Sequence, residues 1–225
     1  MKKSVKMISF DGPDGLGKTT QLNLLKNALE GRPLHLTRLL GGDGTDDYQL
    51  AFRKILLHPK FPKNSVEFEE QMFAETDLKG IEAAKAFLES TPGGVVLKDR
   101  AIFSHVAYAA AKGMPMNKIV ECHREVIRQE QEINRVFGAL NIVFKPDSVD
   151  WLLDRIAKRT ATTGTAVVDR LENRATQEAV VQMSAMIGNL MPLQGLSFEV
   201  IEVKESDSIQ EVHQKVLSVL ENYEI

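Results

Sequence analysis

The sequence predicts an α/β fold, a five-stranded parallel sheet flanked by helices on both faces, from three observations. Short apolar runs recur at 5–10, 34–37, 95–97, 140–144 and 198–203. Stretches of helical periodicity separate them, and crossover helices are what parallel strands need. The runs are apolar along both edges of the pleat, as strands covered on both faces must be.

The elements follow in order. The first run passes through a glycine-rich loop into a helix, where Leu22, Leu25, Ala28 and Leu29 recur at helical spacing. Gly31 and Pro33 close that helix, and the second strand runs into Arg38. A polar loop is predicted over 41–47 and a short helix over 48–57. Asn64 and Glu67 fit a capping box for a long helix with Phe68, Met72, Phe73, Ile81, Ala84 and Leu88 turned inward. The turn Pro92-Gly93-Gly94 leads to the third strand, which ends on Lys98-Asp99-Arg100. Helices are predicted over 103–111 and 117–137, the second with Ile119, Val126, Ile127, Ile133 and Val136 on its apolar side. His123, among charged neighbours, reads as a surface histidine, and Cys122 as a packed thiol. Pro146 and Asp147 open a helix through Leu152, Leu153 and Ile156 that ends near Arg155, Lys158 and Arg159. Small residues fill 160–166, a stretch suited to movement. Helix is expected again from about Leu171 to Met191, and Ser208 with Glu211 caps the last helix.

The chain of 225 residues suffices for a single domain with a short lid over about 159–170. Its hydrophobic and charged fractions, 43% and 26%, are those of a globular protein. A net charge of −3 argues against binding a nucleic-acid polymer or an anionic membrane. Cys122 is the lone cysteine, which excludes an internal disulfide and fits a reducing compartment. No apolar run approaches the roughly 20 residues that span a bilayer. Met1-Lys2-Lys3-Ser4 leads straight into a strand, so the expected location is the cytoplasm. No cluster of His, Cys and Asp shows the spacing of a zinc site.

Gly12-Pro13-Asp14-Gly15-Leu16-Gly17-Lys18-Thr19 fits G-x-x-x-x-G-K-S/T between strand and helix, with Thr20 following. Glycines there let backbone N–H groups converge on phosphate oxygens, and the helix N-terminus adds positive potential. Lys18 reaches terminal phosphates, and the Thr19 hydroxyl suits a magnesium ligand. Asp99 and Arg100 sit where an open parallel sheet meets its ligand crevice, the carboxylate able to hold magnesium and the arginine a phosphate. A surface Asp–Arg ion pair is the plainer alternative.

Four segments, the phosphate loop among them, resemble the thymidylate kinase family. The phosphate loop carries an acidic residue, Asp14; Thr37-Arg38 with Gly41-Gly42 is similar to T-R-E-P-G-G, with Leu39-Leu40 at the Glu-Pro positions. The run from Asp99 and Arg100 through Ser104 and His105 to Tyr108 resembles D-R-Y-x-x-S-x-x-A-Y, with Ala101 at the tyrosine. Arg155, Arg159 and Asp169-Arg170-Leu171-Glu172 resemble the R-x-x-x-R and D-R-x-E pattern around the family's lid.

The resemblance implies a P-loop NTPase three-layer sandwich, a homodimer, and transfer of the ATP γ-phosphoryl group to a deoxynucleoside 5′-monophosphate with Mg2+. It implies that Asp14 receives the acceptor's 3′-hydroxyl, Arg38 and Arg100 its phosphate, Phe73 its base and Tyr108 its sugar. Lys18, Arg100 and Arg159 would be catalytic, Thr19 and Asp99 would hold the metal, and Ser104 and His105 would line the acceptor pocket.

Two departures from the family bear on the chemistry. Leu16 and 160–168 lack the extra arginine usual in loop or lid, leaving Lys158, Arg159 and Arg170 as candidates for that charge. Asp77 stands one turn after Phe73, where the family has a base-reading arginine. An aspartate only accepts hydrogen bonds, so an amine-bearing base such as that of dGMP or dCMP is expected to suit it, unless it turns to solvent. Two other readings stay open, a kinase for nucleosides or another small acceptor and a nucleotide-dependent switch protein.

Overall fold

The computed structural model of the chain describes residues 2–38, 65–163, 173–186 and 193–225, with the backbone alone at 159–163. In chain order the elements are β1 (Lys3–Ser4), β2 (Met7–Asp11), α1 (Lys18–Ala28), β3 (Leu34–Arg38), α2 (Val66–Ser90), β4 (Val95–Asp99), α3 (Ile102–Ala111) and α4 (Met116–Cys122). They continue as α5 (Arg124–Val136), β5 (Ala139–Pro146), α6 (Val149–Thr163), α7 (Arg174–Ala185), β6 (Phe198–Val203), α8 (Ile209–Leu220) and β7 (Tyr223–Glu224).

Five strands form one parallel sheet in the order β3-β4-β2-β5-β6, as the alternation of strands and helices predicts. β2 is central, with Met7 opposite Val96 on one side and Ala139 on the other. The chain builds β3 and β4 on one side of β2, then β5 and β6 on the other. Ligand crevices in open α/β sheets lie at such a reversal, outside the carboxyl ends of the strands.

The two-residue period of the strands sorts side chains into two cores. Met7, Val96, Ala139 and Val143 join Ile81, Phe103, Val106, Ile127 and Ile133 of α2, α3 and α5. Ile8, Phe10, Leu97, Ile142 and Phe144 join Leu22, Leu25, Leu152, Val212 and Val216 of α1, α6 and α8. The same period sends the neighbours Lys98 and Asp99 to opposite faces, Lys98 to α2 and α5 and Asp99 to α1.

Several expectations change. β1 pairs in parallel with β7, an extra two-stranded ribbon too short for its period to show in sequence. Ser65 caps α2, its Oγ accepting from the Phe68 N–H at 3.2 Å; Asn64 lies outside the described residues. Phe68 is 48% exposed rather than inward. The buried stripe runs through Glu69, Glu70, Phe73, Asp77, Ile81, Ala84 and Leu88, and Phe68 stands about 140° of helix away from Phe73. The helix predicted over 117–137 is two helices. His123, at φ −104 and ψ 13, ends α4 and precedes α5, and both pack on α2. His123 is buried, because the break turns its ring against Glu70 rather than toward solvent. Cys122 is only partly buried.

Pro146 closes β5, and the next helix starts at Val149. That helix continues through Thr163, so the first part of the stretch read as mobile is helical. The expected elements over 41–57, the remainder of the lid, Arg170 and the side chain of Arg159 lie outside what the structure describes. The capping box at Ser208 is formed in full. Glu211 N–H donates to Ser208 Oγ at 3.2 Å, and Ser208 N–H to Glu211 Oε2 at 2.7 Å.

Candidate active site

The loop between β2 and α1 is shaped by its glycines. Gly12 has φ +117, and a Cβ there would stand 2.3 Å from the Phe144 carbonyl oxygen, so β5 leaves room for glycine alone. Gly15, at φ +83, lies against Ile156 and Leu152 of α6, where a Cβ would come within 2.9 Å of Ile156 Cγ1. Gly17 caps α1 in the left-handed region. Leu16 is buried in the core and anchors the loop.

Lys18 opens α1 and bends back to donate to the Pro13 carbonyl. Desolvation, with repulsion from Arg100 next, pulls its ammonium down to about 8. A buried cation held by one carbonyl is a site suited to an anion.

Asp99 faces Lys18 from the end of β4. Its Oδ2 accepts from Thr19 Oγ1 at 2.9 Å and from Arg38 Nη2 at 3.2 Å. Burial works against its ionisation, but Arg100, Lys18, the Thr19 hydroxyl and Arg38 together hold the carboxyl below its ordinary value. The plain Asp99–Arg100 surface pair is absent from this arrangement. Asp99 is buried, and its partners come from α1 and β3.

Arg100 has φ 71, a positive value that costs a side-chain-bearing residue about 1–2 kcal/mol. Its turn is pinned from both sides. Its own N–H donates to Phe10 O at 2.9 Å. The Asp11 carboxylate accepts from the Ala101 N–H at 3.1 Å and from the Ser104 hydroxyl. So fixed, the guanidinium donates to Gly12 O at 3.0 Å, to Ser104 Oγ at 3.2 Å and to Asp14. Asp14 also accepts from Tyr108 Oη at 2.7 Å, and its N–H donates to Gln177 Oε1 at 3.1 Å. Burial, and the Asp14 carboxylate against the opposing effect of Arg100, push the Tyr108 phenol above its ordinary range.

The structure thus brings Lys18, Thr19, Arg38, Asp99, Arg100, Asp14, Ser104 and Tyr108 to one sheet edge. Asp11 and Gln177, which hold this group together, went unrecognised in the sequence. Asp11 precedes the loop pattern, and Gln177 comes from α7 far along the chain.

Phe73, Asp77 and His105 belong to a second cluster beneath. Phe73 is 6% exposed, with Lys112 Nζ 4.8 Å from its ring centroid. Asp77 is 2% exposed and turned neither to solvent nor to an open pocket. Lys98 Nζ lies 3.0 Å from its Oδ1, and His105 Nε2 3.1 Å from its Oδ2. Lys98 also donates to Glu130 at 2.8 Å. The aspartate is therefore not a free acceptor for an amine-bearing base, because a lysine three strand positions past Val95 already satisfies it. A lysine in an apolar strand gave no sequence signal of that pairing.

The thymidylate kinase family profile matches residues 10–216. The chain belongs to the thymidylate kinase family. A thymidylate kinase of Geobacillus sp. (strain WCH70) is 30% identical over 145 residues, covering 63% of this chain and 64% of that protein. The chain thus spans just under two thirds of that relative's length. A thymidylate kinase of Exiguobacterium sibiricum is 30% identical over 182 residues, covering 76% of this chain and 81% of its own. The site assembled above lies within the matched region. Among the described residues no helix is long and apolar enough to cross a membrane.

Proposed function

We propose that the chain transfers the γ-phosphoryl group of ATP to a deoxynucleoside 5′-monophosphate, with dTMP the acceptor its relatives favour. The observation that carries this reading is the convergence of a phosphate loop, its buried Lys18 and the Thr19–Asp99 pair on two arginines held by carboxylates. A nucleoside kinase has no need of Arg38 and Arg100 beside its acceptor. A switch protein would need a water-activating group that the sequence does not suggest.

Phosphoryl transfer is mostly alignment and charge stabilisation, with no covalent nucleophile required. Backbone amides of Gly12 to Lys18 and the α1 N-terminus would cradle the donor phosphates. Lys18 would trade the Pro13 carbonyl for phosphate oxygens, gaining an anionic partner where it now has a neutral one. Arg38 and Arg100 would hold the acceptor phosphate, Arg100 in a preset orientation because Asp11 and Ser104 fix its turn. Asp14 and Tyr108, already hydrogen-bonded to each other, would orient the sugar, and Phe73 the base. The Arg159 of α6 would add charge at the transferring group.

Magnesium fits the Thr19 hydroxyl and the Asp99 carboxylate, two hard oxygens hydrogen-bonded together beside Lys18. Bound there, it would neutralise charge on the donor phosphates. We read 1–225 as one kinase unit, cytoplasmic and homodimeric, with no nucleic-acid or membrane partner.

The test is ADP formation by purified protein with ATP and Mg2+, with dTMP, dUMP, dCMP, dGMP, dAMP, thymidine or no acceptor. The proposal expects stimulation by dTMP well above the others. Equal ADP formation with and without every monophosphate overturns it, and stimulation by thymidine alone replaces it with a nucleoside kinase.

A further inference from the structure

The acceptor side of the crevice has a support that lies wholly behind it. Gln177 of α7 is 0% exposed, so it reaches no substrate directly. Its Oε1 accepts from the Asp14 N–H at 3.1 Å, and its Nε2 lies a longer 3.5 Å from Asp14 Oδ2. One buried amide thus brackets Asp14 at both backbone and side chain. The Asp14 side chain is itself 22% exposed, at the edge of the crevice beside Arg100.

The backbone around Asp14 needs such a bracket. Gly12 and Gly15, at φ +117 and +83, stand on either side of Pro13-Asp14, and glycine restrains its own backbone least. α7 is the firmer support. Asn173 caps it, Oδ1 accepting from the Thr176 N–H at 3.0 Å, and Val180 shares a core with Val106 and Ala107 of α3. From that same α3, Tyr108 donates to Asp14 Oδ2 at 2.7 Å. Two packed helices therefore hold Asp14, Tyr108 at the carboxylate and Gln177 at the backbone as well.

The chemistry says what this placement is for. A carboxylate paired with an arginine is an acceptor only, so Asp14 can receive a sugar hydroxyl and repels a phosphate. Arg100, hydrogen-bonded to that carboxylate, suits the phosphate of the same molecule. The distance from phosphate to hydroxyl within one nucleotide is nearly fixed. A carboxylate that drifts from its place loses the contact, and misplacement by an ångström is costly in catalysis.

We propose that Gln177 is a positioning residue for the acceptor's sugar. By bracketing Asp14 it sets the carboxylate where it meets the 3′-hydroxyl, and so makes the chain select monophosphates that carry that hydroxyl. The inference rests on the kinase reading above. Gln177 stands 163 residues from Asp14, so no spacing in the sequence announces the pair.

Binding and turnover together test it, with Tm and the KM for ATP reporting on the fold. Affinity for the acceptor is measured by calorimetry without ATP. Gln177→Met keeps the volume and loses the polar contacts. It should weaken dTMP binding and raise its KM about 10- to 100-fold, with the KM for ATP unchanged. With 3′-deoxythymidine 5′-monophosphate, which offers Asp14 no hydroxyl, wild type and variant should agree within about twofold. A residue that only held the fold would penalise both acceptors alike. Gln177→Glu keeps an acceptor for the Asp14 N–H but sets a second carboxylate beside the first, near Tyr108 and Arg100, and such a pair holds a proton tightly. Once protonated it donates as the amide does, so its deficit relative to wild type should shrink by at least about threefold from pH 8 to pH 6. The acceptor phosphate's own titration cancels in that ratio. Wild type that binds neither monophosphate overturns the kinase reading and this inference with it. The inference alone is overturned if wild type binds dTMP and Gln177→Met binds it equally, or if the loss is the same for the 3′-deoxy acceptor. A Gln177→Glu deficit that stays constant with pH also overturns it.

Discussion

Replacing Lys98 with methionine would test whether the buried charges beneath the site hold the fold. The side chain is 1% exposed, 3.0 Å from Asp77 and 2.8 Å from Glu130, so Lys98→Met keeps the volume and removes the one cation between two carboxylates. Against burial, Lys98 first and His105 second hold Asp77 down at about 2. Relative to an ordinary aspartate that depression is worth roughly 2–3 kcal/mol. Glu130 is already pushed above its ordinary value, by burial despite Lys98, and would rise further without it. Leaving a buried partner unpaired typically costs about 3–5 kcal/mol, and we expect a loss in that range at pH 7.5, a large part of a typical ~5–15 kcal/mol. The sign with pH follows from the depressed carboxyl. Its contribution to the wild type is complete above an ordinary aspartate's value and is lost as pH falls toward 2. The variant's carboxyls protonate at higher pH, so the gap between the two proteins should narrow from pH 7.5 to pH 4.5. Urea unfolding at both pH values, followed by circular dichroism, measures this. A loss under about 1 kcal/mol at pH 7.5, or a gap that widens on acidification, would refute the reasoning.

Other predictions concern the site directly. Lys18→Ala should leave the fold intact and lower kcat at least about 100-fold, since preorganised charge at the transferring group is lost; retention of more than about a tenth of kcat would remove Lys18 from its role. Because Lys18 sits at about 8 without phosphate and a phosphate would raise it, binding of a non-hydrolysable ATP analogue should take up a proton above pH 8. Its Kd should then weaken by up to about tenfold per pH unit there, and calorimetry at pH 8.5 in buffers of different ionisation enthalpy should detect the uptake. Gly12→Ala should abolish soluble, cooperatively folding protein or cost more than about 3 kcal/mol, given the Phe144 carbonyl 2.3 Å from the added carbon; near-wild-type Tm would contradict the geometry. Tyr108→Phe removes the 2.7 Å hydrogen bond to Asp14 and should raise KM for the monophosphate about 5- to 30-fold while leaving KM for ATP unchanged, the asymmetry being the informative result.

The sequence by itself determined the sheet and the glycine-rich loop between β2 and α1, because both depend on local pattern. Short apolar runs and helical spacing mark the five strands and their helices. Gly12, Gly15, Gly17, Lys18 and Thr19 are read as a unit because one stretch of backbone does the work. Asp99 and Arg100 were legible from their place at a strand end. The tertiary structure alone decided what depends on groups distant in the chain. Asp11 reaches across to pin Arg100, and Gln177 arrives from α7 to hold Asp14. Asp77 looked like a base reader, and His123 like a surface residue, because sequence shows only their neighbours along the chain. The fold supplies Lys98 to one and Glu70 to the other. A buried charge is set by its partners, and those partners come from whichever strands and helices the packing brings together.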